Sequence, residues 1–258
     1  MNLYSKLLIM GAVCCLCACD VSQPATASEQ PHADIALRYS ISHVLTGAAI
    51  VGAKVCYQLP KDTIACATTD ENGVAETSWP NPKPGDTLVT ISKEGYLTDA
   101  WTGRYDDDVL KRWQQEQTTD DDFVHFQYTI PPVSLFSVLL GMVGADKNHS
   151  GGHVFFWVKD EQGKGINGVE AEVLSDEGAS VGPVYYPTAT GTIDLKQTSS
   201  TAAGLLTAVN IPAGDVTVKV KAAGLTCTPL ETYHSDAPNA VTVPVLAAAM
   251  TKGSFVCK

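Results

Sequence analysis

Two segments of the chain repeat the same spaced pattern of apolar residues, turn residues and glycines, and this repeat limits the fold more than any other feature. The first copy spans residues 50–96 and the second spans residues 166–225. In each copy the last two glycines stand ten positions apart. They are Gly85 and Gly95 in the first copy, and Gly214 and Gly224 in the second. A shared spacing of this kind predicts that the two segments follow the same chain path.

Alternating apolar residues inside both copies predict β-strands. In the second copy Val216 and Val218 flank Thr217, which is the two-residue period of a strand with one buried face. Turn formers such as Glu71-Asn72-Gly73 separate the alternating runs, because they tolerate positive φ or preset a turn. Strands punctuated about every 8–12 residues are typical of a β-sandwich.

This skeleton resembles the carboxypeptidase regulatory-like, or transthyretin-like, domain. Its elements in the first copy lie at Gly52–Val55, Thr69–Gly73, Pro84–Val89 and Lys93–Tyr96. The second copy departs from it at Ala203-Gly204, which lacks the preceding aspartate, and at Leu225, which replaces the tyrosine. The resemblance implies an all-β fold of two tandem Ig-like or transthyretin-like sandwiches. It also implies a non-catalytic accessory, binding or spacer role.

The repeat predicts a domain order along the chain. The first sandwich covers residues 34–132, an apolar linker covers 133–150, and the second sandwich covers 151–258. A short helix is expected at 106–117, because aspartates at its start favour a helix N-terminus, and Phe123–Ile130 alternates as a closing strand. The apolar run that opens the linker, at about 11 residues, is too short to span a bilayer. It predicts a helix or strand buried between the sandwiches.

Residues 1–18 predict an export signal. Lys6 is the only charge before an apolar run at 7–18, which is about 12 residues long where a spanning helix needs roughly 20. Leu16-Cys17-Ala18-Cys19 follows and resembles the bacterial lipobox. This resemblance implies cleavage before Cys19, diacylglycerol in thioether linkage on Cys19, and acylation of the new amino group, typically with palmitate. The alternative is an ordinary signal peptide with incidental cysteines.

Residues 19–33 are polar and rich in small residues and proline, which predicts a flexible tether between lipid and body. Lipid on Cys19 implies a location in the cell envelope on a bacterial membrane. Asp20 implies the inner membrane in enteric-type bacteria, but other lineages leave inner and outer open. The formal charge of −11 argues against a nucleic-acid partner, which would need a basic surface.

Four cysteines lie after the tether: Cys56, Cys66, Cys227 and Cys257. An even number in an exported chain favours disulfides over metal ligation. We predict one bridge in each sandwich, Cys56–Cys66 and Cys227–Cys257. The first pair falls directly opposite in a hairpin that is symmetric about Lys61.

Two groups of residues could bind a metal ion, but each also has an interpretation that involves no metal. The aspartate triplets 106–108 and 120–122 supply enough oxygens for Ca²⁺, but they lack EF-hand spacing and equally fit a capped, solvated helix. His149 and His153 are four residues apart, but the glycines between them break any helix that would align them. The prediction is therefore no metal and no cofactor.

The segment Gly178–Gly191 is the longest insertion relative to the first copy and is the candidate binding loop. Tyr185 and Tyr186 are residue types that anchor interfaces, and long loops on rigid sandwiches often carry binding. The alternative is that both rings fill one end of the second sandwich. A double Tyr185→Ala and Tyr186→Ala variant distinguishes the two interpretations.

The predicted function is a membrane-anchored cell-envelope lipoprotein acting as a non-catalytic binding or assembly module. Its partners would be the membrane, through the N-terminal lipid, and an envelope protein or a glycan. The alternative is a Ca-dependent carbohydrate-binding protein or an envelope enzyme that uses the acidic segment and the Tyr185 loop. No HExxH or P-loop motif occurs in the sequence, and its one GxSxG pattern, Gly178-Ala179-Ser180-Val181-Gly182, lies inside the candidate binding loop.

Overall fold

The computed structural model describes residues 33–59, 63–119, 122–146, 150–230 and 237–258, and these form fourteen β-strands and two α-helices. The elements of the first half are β1 Ile35–His43, β2 Lys54–Leu59, β3 Thr63–Thr68, β4 Val74–Trp79, β5 Gly85–Ser92, β6 Thr98–Tyr105, α1 Asp107–Thr119 and β7 Val124–Ile130. The elements that follow are α2 Val133–Met142, β8 Gly152–Lys159, β9 Glu170–Ser175, β10 Leu205–Ile211, β11 Gly214–Lys221, β12 Cys227–Pro229, β13 Ala240–Val245 and β14 Ala249–Cys257. The fold is all-β, as predicted.

In the first half, a three-stranded sheet of order β4-β1-β7 packs over an aromatic core. Strand β1 buries every second residue, from Ile35 to Ile41, as the two-residue period of a one-faced strand requires. Tyr39 stacks on Tyr57 and Phe126, with ring centroids 6.2 and 5.3 Å away. The closing strand predicted at 123–130 is β7, which pairs in parallel with β1.

In the second half, the corresponding sheet has the order β13-β11-β9 and packs over an aliphatic core. Val216, Val218 and Val220 of β11 are all buried, which confirms the alternation predicted for this strand. The first strand, β8, again pairs in parallel with the last strand, β14. Each half therefore places its first and last strands side by side, as a repeated chain path requires.

One sheet runs through both halves. Its strands follow the order β10-β8-β14-β6-β5-β2-β3, with β12 pairing to β14. The start of β14 pairs in parallel with β6, and its end pairs with β12. The boundaries proposed from the sequence for two separate domains stay a prediction, because this sheet joins the halves directly.

The two helices differ in how far they match the sequence. Helix α1 lies where it was predicted and buries Val109, Leu110 and Trp113. Helix α2 occupies the apolar stretch, but the expectation that this stretch is buried is wrong for its outer face. Phe136 and Leu140 are buried, while Leu135, Val138 and Met142 are exposed to solvent. The helix covers the sheet where the halves meet, so only its inner face has a partner within the described residues.

A buried hydroxyl closes the same turn in both copies of the repeat. Thr69 Oγ1 accepts a hydrogen bond from the Ala53 backbone N–H (2.8 Å) and donates to the Ile50 carbonyl (2.6 Å). In the second copy, Ser200 Oγ accepts from Val169 N–H (3.0 Å) and donates to the Ile166 carbonyl (2.6 Å). The stretch Gln197–Thr201, which is rich in serine and threonine, thus serves as a structural turn.

A glycine follows each hydroxyl at the same distance along the chain. Gly73 and Gly204 both have positive φ, +74° and +65°. A side chain there would also collide with backbone, since a Cβ would lie 2.6 Å from the Ile41 oxygen and 2.1 Å from the Val158 oxygen. Only glycine satisfies both constraints. The sequence repeat is therefore a repeat of backbone geometry.

Candidate functional site at the junction of the two halves

The junction is built from four residues on each of two parallel strands. Ala249–Lys252 of β14 pairs with Thr98–Trp101 of β6. Helix α2 packs over this strand pair through Phe136 and Leu140, which contact Leu97, Val209 and Met250. This cluster draws residues from both halves, so the junction is a packed surface as well as a strand pair.

An ion pair between Asp99 and Lys252 crosses this seam inside the protein. Asp99 is 0% exposed and Lys252 is 4% exposed, and Lys252 Nζ hydrogen-bonds to Asp99 Oδ2. The same Nζ donates to the Thr129 carbonyl at 2.7 Å and lies 6.0 Å from the centre of the Trp101 ring. The ammonium of β14 thus contacts β6, through Asp99 and Trp101, and the end of β7, through Thr129.

Burial sets the protonation of this pair. Loss of hydration raises the pKa of the Asp99 carboxyl to about 6, against the opposing effect of the Lys252 charge. Asp99 Oδ1 has no hydrogen-bond partner among the described residues. A buried pair of this kind fixes the relative position of two strands, because removing either member leaves an uncompensated charge.

His153 lies in the same row of the sheet. Met250 stands opposite Asp99 on β6 and opposite His153 on β8. His153 is fully buried, its Nδ1 accepts a hydrogen bond from Asn210 N–H at 3.1 Å, and the Phe136 ring of α2 packs edge-on at 4.6 Å. The other histidine of the sequence pair, His149, lies outside the described residues. In the part of the chain that the structure describes, no three His, Cys, Asp or Glu residues gather as metal ligands.

The structure corrects the candidate binding loop at Tyr186. Its side chain is 4% exposed, belongs to the second core, and its hydroxyl accepts a hydrogen bond from Ala171 N–H at 2.9 Å. Tyr185 is partly buried and packs beside the junction cluster. Its backbone pairs with Thr207 of β10 at 2.7 and 2.8 Å. The segment Gly178–Gly191 is therefore held to β10 of the long sheet by the Tyr185 backbone and to β9 of the three-stranded sheet by the Tyr186 hydroxyl.

The acidic segment serves the helix beside it. Asp106 Oδ1 accepts a hydrogen bond from Val109 N–H at 2.9 Å, which is the bond of an N-terminal cap. Asp107 and Asp108 occupy the first turn of α1, where carboxylates interact favourably with the helix dipole. Of the second triplet, residues 120 and 121 lie outside the described residues.

Both predicted disulfides are formed, Cys56–Cys66 and Cys227–Cys257. In each case the two cysteines stand directly opposite in an antiparallel strand pair. Residues 60–62, the turn about which the first hairpin was expected to be symmetric, lie outside the described residues. Cys19, the tether up to residue 32 and the signal also lie outside them. Neither described helix is long and apolar enough to cross a membrane.

Sequence reasoning missed the Asp99–Lys252 pair. Each is the one charged residue in a short stretch whose pattern predicts a half-buried strand. The stretches are Thr98-Asp99-Ala100-Trp101 and Met250-Thr251-Lys252-Gly253. The period of β14 places Lys252 on the same face as Met250, which was a signal that the lysine points inward. The partner could not be found this way, because 153 residues separate the two.

Comparison with known proteins adds distant structural similarities. No family model matches the chain, and no curated protein matches it. The Bacillus anthracis TIE protein is similar at 13% identity and a TM-score of 0.29, over 88% of this chain and 34% of that one. This chain thus spans about a third of that protein.

Two further solved structures are similar at the same level. The minor pilin GBS52 of Streptococcus agalactiae is 12% identical with a TM-score of 0.29, covering 86% of this chain and 95% of that one. An intradiol ring-cleavage dioxygenase of Tetranychus urticae is 14% identical with a TM-score of 0.30, covering 41% of this chain and 84% of that one. At these scores the similarities carry no activity or partner over to this chain.

Proposed function

We propose that the mature chain is a cell-envelope lipoprotein, anchored to a bacterial membrane through lipid on Cys19, whose body is a non-catalytic binding or assembly module. The observation that carries this proposal is that the buried polar groups at the junction bond to strands of the protein itself. Asp99 and Lys252 bond to each other, Lys252 also bonds to β7, and His153 bonds to β10 and packs against Phe136 of α2. These are roles in joining two halves into one scaffold.

The stabilising features are distributed as such a scaffold needs. One disulfide lies at the β2–β3 end of the long sheet, and the other ties β12 to β14 in the second half. The ion pair lies between them at the seam. A rigid support of this kind holds surface segments in fixed positions, which is how sandwich folds present binding surfaces.

The anchoring part is tested by labelling and fractionation. Replacing Cys19 with Ala should abolish incorporation of a fatty-acid label and leave an uncleaved precursor. The matched control is Cys14→Ala, which removes a signal cysteine and should change neither readout. If Cys19→Ala still yields a shorter, soluble product and the wild type takes up no label, the chain is not a lipoprotein.

The binding part is tested by capture from detergent-solubilised membranes. We expect the full-length chain to recover a specific envelope protein or glycan, with the same yield in the presence of a Ca²⁺ chelator. Loss of capture on chelation would favour the alternative, a Ca-dependent carbohydrate-binding protein. Turnover of a captured glycan would favour an envelope enzyme and would contradict the non-catalytic proposal.

A further inference from the structure

Helix α2 is apolar on both faces. Its ten residues contain no charged side chain, and a helix of this composition is normally buried all round. Here Phe136 and Leu140 face the junction, while Leu135, Val138 and Met142 are 36, 55 and 42% exposed. The three exposed side chains recur at intervals of three and four residues, so they form one stripe along the outside of the helix.

The chain segments around this stripe carry few charges, although Glu94 precedes Gly95, whose carbonyl accepts from Val133 N–H at the start of α2. No Asp, Glu, Lys or Arg occurs from residue 126 to 145, or from residue 39 to 53. These two stretches meet, because Val44 N–H donates to the Ile130 carbonyl at 3.3 Å. Val44 and Leu45 are exposed there as well. An apolar end with so few charges is unusual on a chain of net charge −11.

We propose that the outer stripe of α2 packs against the same stripe of a second copy of this chain, with the two helices antiparallel. Two copies of a strongly acidic protein repel each other over most of their surfaces, and at this end they can meet with few opposing like charges. An isologous contact requires a self-complementary surface. The stripe meets this requirement when Val138 lies at the two-fold axis and Leu135 of one copy contacts Met142 of the other.

Small residues allow the helices to approach. Ser134 and Gly141 are both exposed beside the stripe and lie two helical turns apart. Their size lets the larger side chains of the facing helix interdigitate, as ridges into grooves. The contact is smaller than the roughly 800 Å² per partner of a standard interface, so we expect a weak dimer rather than an obligate one.

The charge of the body argues against the anchoring membrane as the occupant of the stripe. A chain of net charge −11 is repelled by an anionic lipid surface.

Cysteine cross-linking of the full-length chain in isolated membranes tests the proposal. Val138→Cys should give a disulfide-linked dimer on mild oxidation, at several times the yield of Leu195→Cys, a control that is comparably exposed at 63%. Chains carrying Leu135→Cys and Met142→Cys, with different tags, should cross-link to each other more than either does to itself. Adding Val138→Lys should abolish this mixed product, while Leu195→Lys should leave it unchanged.

Several outcomes would overturn the proposal. Equal yields from Val138→Cys and Leu195→Cys would mean that the dimers form by random collision. Same-site products of Leu135→Cys exceeding the mixed product would exclude the antiparallel arrangement. If Val138→Cys instead links to another polypeptide, or is shielded from a water-soluble maleimide without any dimer, the occupant is a different protein or the lipid surface.

Discussion

The two halves of the molecule share one backbone plan and fill it with different side chains. Both pair their first strand in parallel with their last and close the equivalent turn with a buried hydroxyl. The first core is aromatic, with Tyr39 and Trp113 among its members, while the second is dominated by valines. A sandwich therefore fixes where the chain turns, while leaving the chemistry of its interior open.

The disulfides differ in the same way between the halves. Cys66 is exposed on β3, at the end of the long sheet, whereas Cys227 and Cys257 are 0 and 2% exposed. The first bridge closes a segment of 10 residues and the second a segment of 30. The exposed bridge secures a strand that has a neighbour on one side only, while the buried bridge is part of the second core.

The largest expected effect comes from uncoupling the halves. Asp99→Ala leaves the Lys252 ammonium buried without its counter-ion, which should cost about 3–5 kcal/mol of unfolding free energy. We expect the single unfolding transition to separate into two, one for each half, when followed by urea titration. The control is the double variant Asp99→Leu with Lys252→Met, which should recover most of the loss. If Asp99→Ala unfolds in one transition with wild-type stability, the pair does not couple the halves.

The next largest effect separates the two disulfides. Cys227→Ala with Cys257→Ala should cost nearly 4 kcal/mol by loop entropy alone, and more once the core defect is included. Cys56→Ala with Cys66→Ala should cost roughly 3 kcal/mol or less. Urea midpoints measure both losses. The comparison fails if the exposed pair proves the costlier one, or if a mild reductant opens the buried bridge first.

Removing the buried turn hydroxyl of either half should lower the unfolding free energy by a smaller amount, and by the same amount in both halves. Thr69→Val and Ser200→Ala each leave one buried N–H and one buried carbonyl unpaired, which should cost about 1–3 kcal/mol. Thr217→Val, whose hydroxyl bonds to Thr242 on the surface, is the control and should stay within about 0.5 kcal/mol of the wild type. Unequal losses at positions 69 and 200 would show that the two turns are not equivalent.

The most gradual of the expected effects is a pH dependence at the junction. The folded pKa of Asp99, about 6, lies above its ordinary value of 3.8, so in this window the folded protein holds a proton that the unfolded chain has lost. The contribution of Asp99 to stability should therefore rise as pH falls through this window, and fall as pH rises towards 6. Unfolding free energies of the wild type and of Asp99→Asn are measured across this pH range, and their difference isolates the contribution of Asp99. A difference with the opposite slope would contradict the raised pKa.

Much of the fold could be predicted from local patterns. The strand period around Val218, the capped helix after Asp106 and the hairpin that pairs Cys56 with Cys66 each depend on residues close in sequence. Interpretation failed where one residue type fits two environments. Tyr186 is as suitable for an interface as for a core, and only the position of Ala171 N–H beside its hydroxyl decides the matter.

The sequence by itself determined the strand periods, the turn positions and the pairing of Cys56 with Cys66, because these depend on side-chain alternation and glycine geometry within short stretches. Only the tertiary structure decided that one sheet joins the halves, that Asp99 meets Lys252, and that α2 keeps an uncovered apolar face. The physical reason is the distance along the chain. Contacts between residues more than a hundred positions apart depend on how whole sheets pack, and no local pattern records that packing.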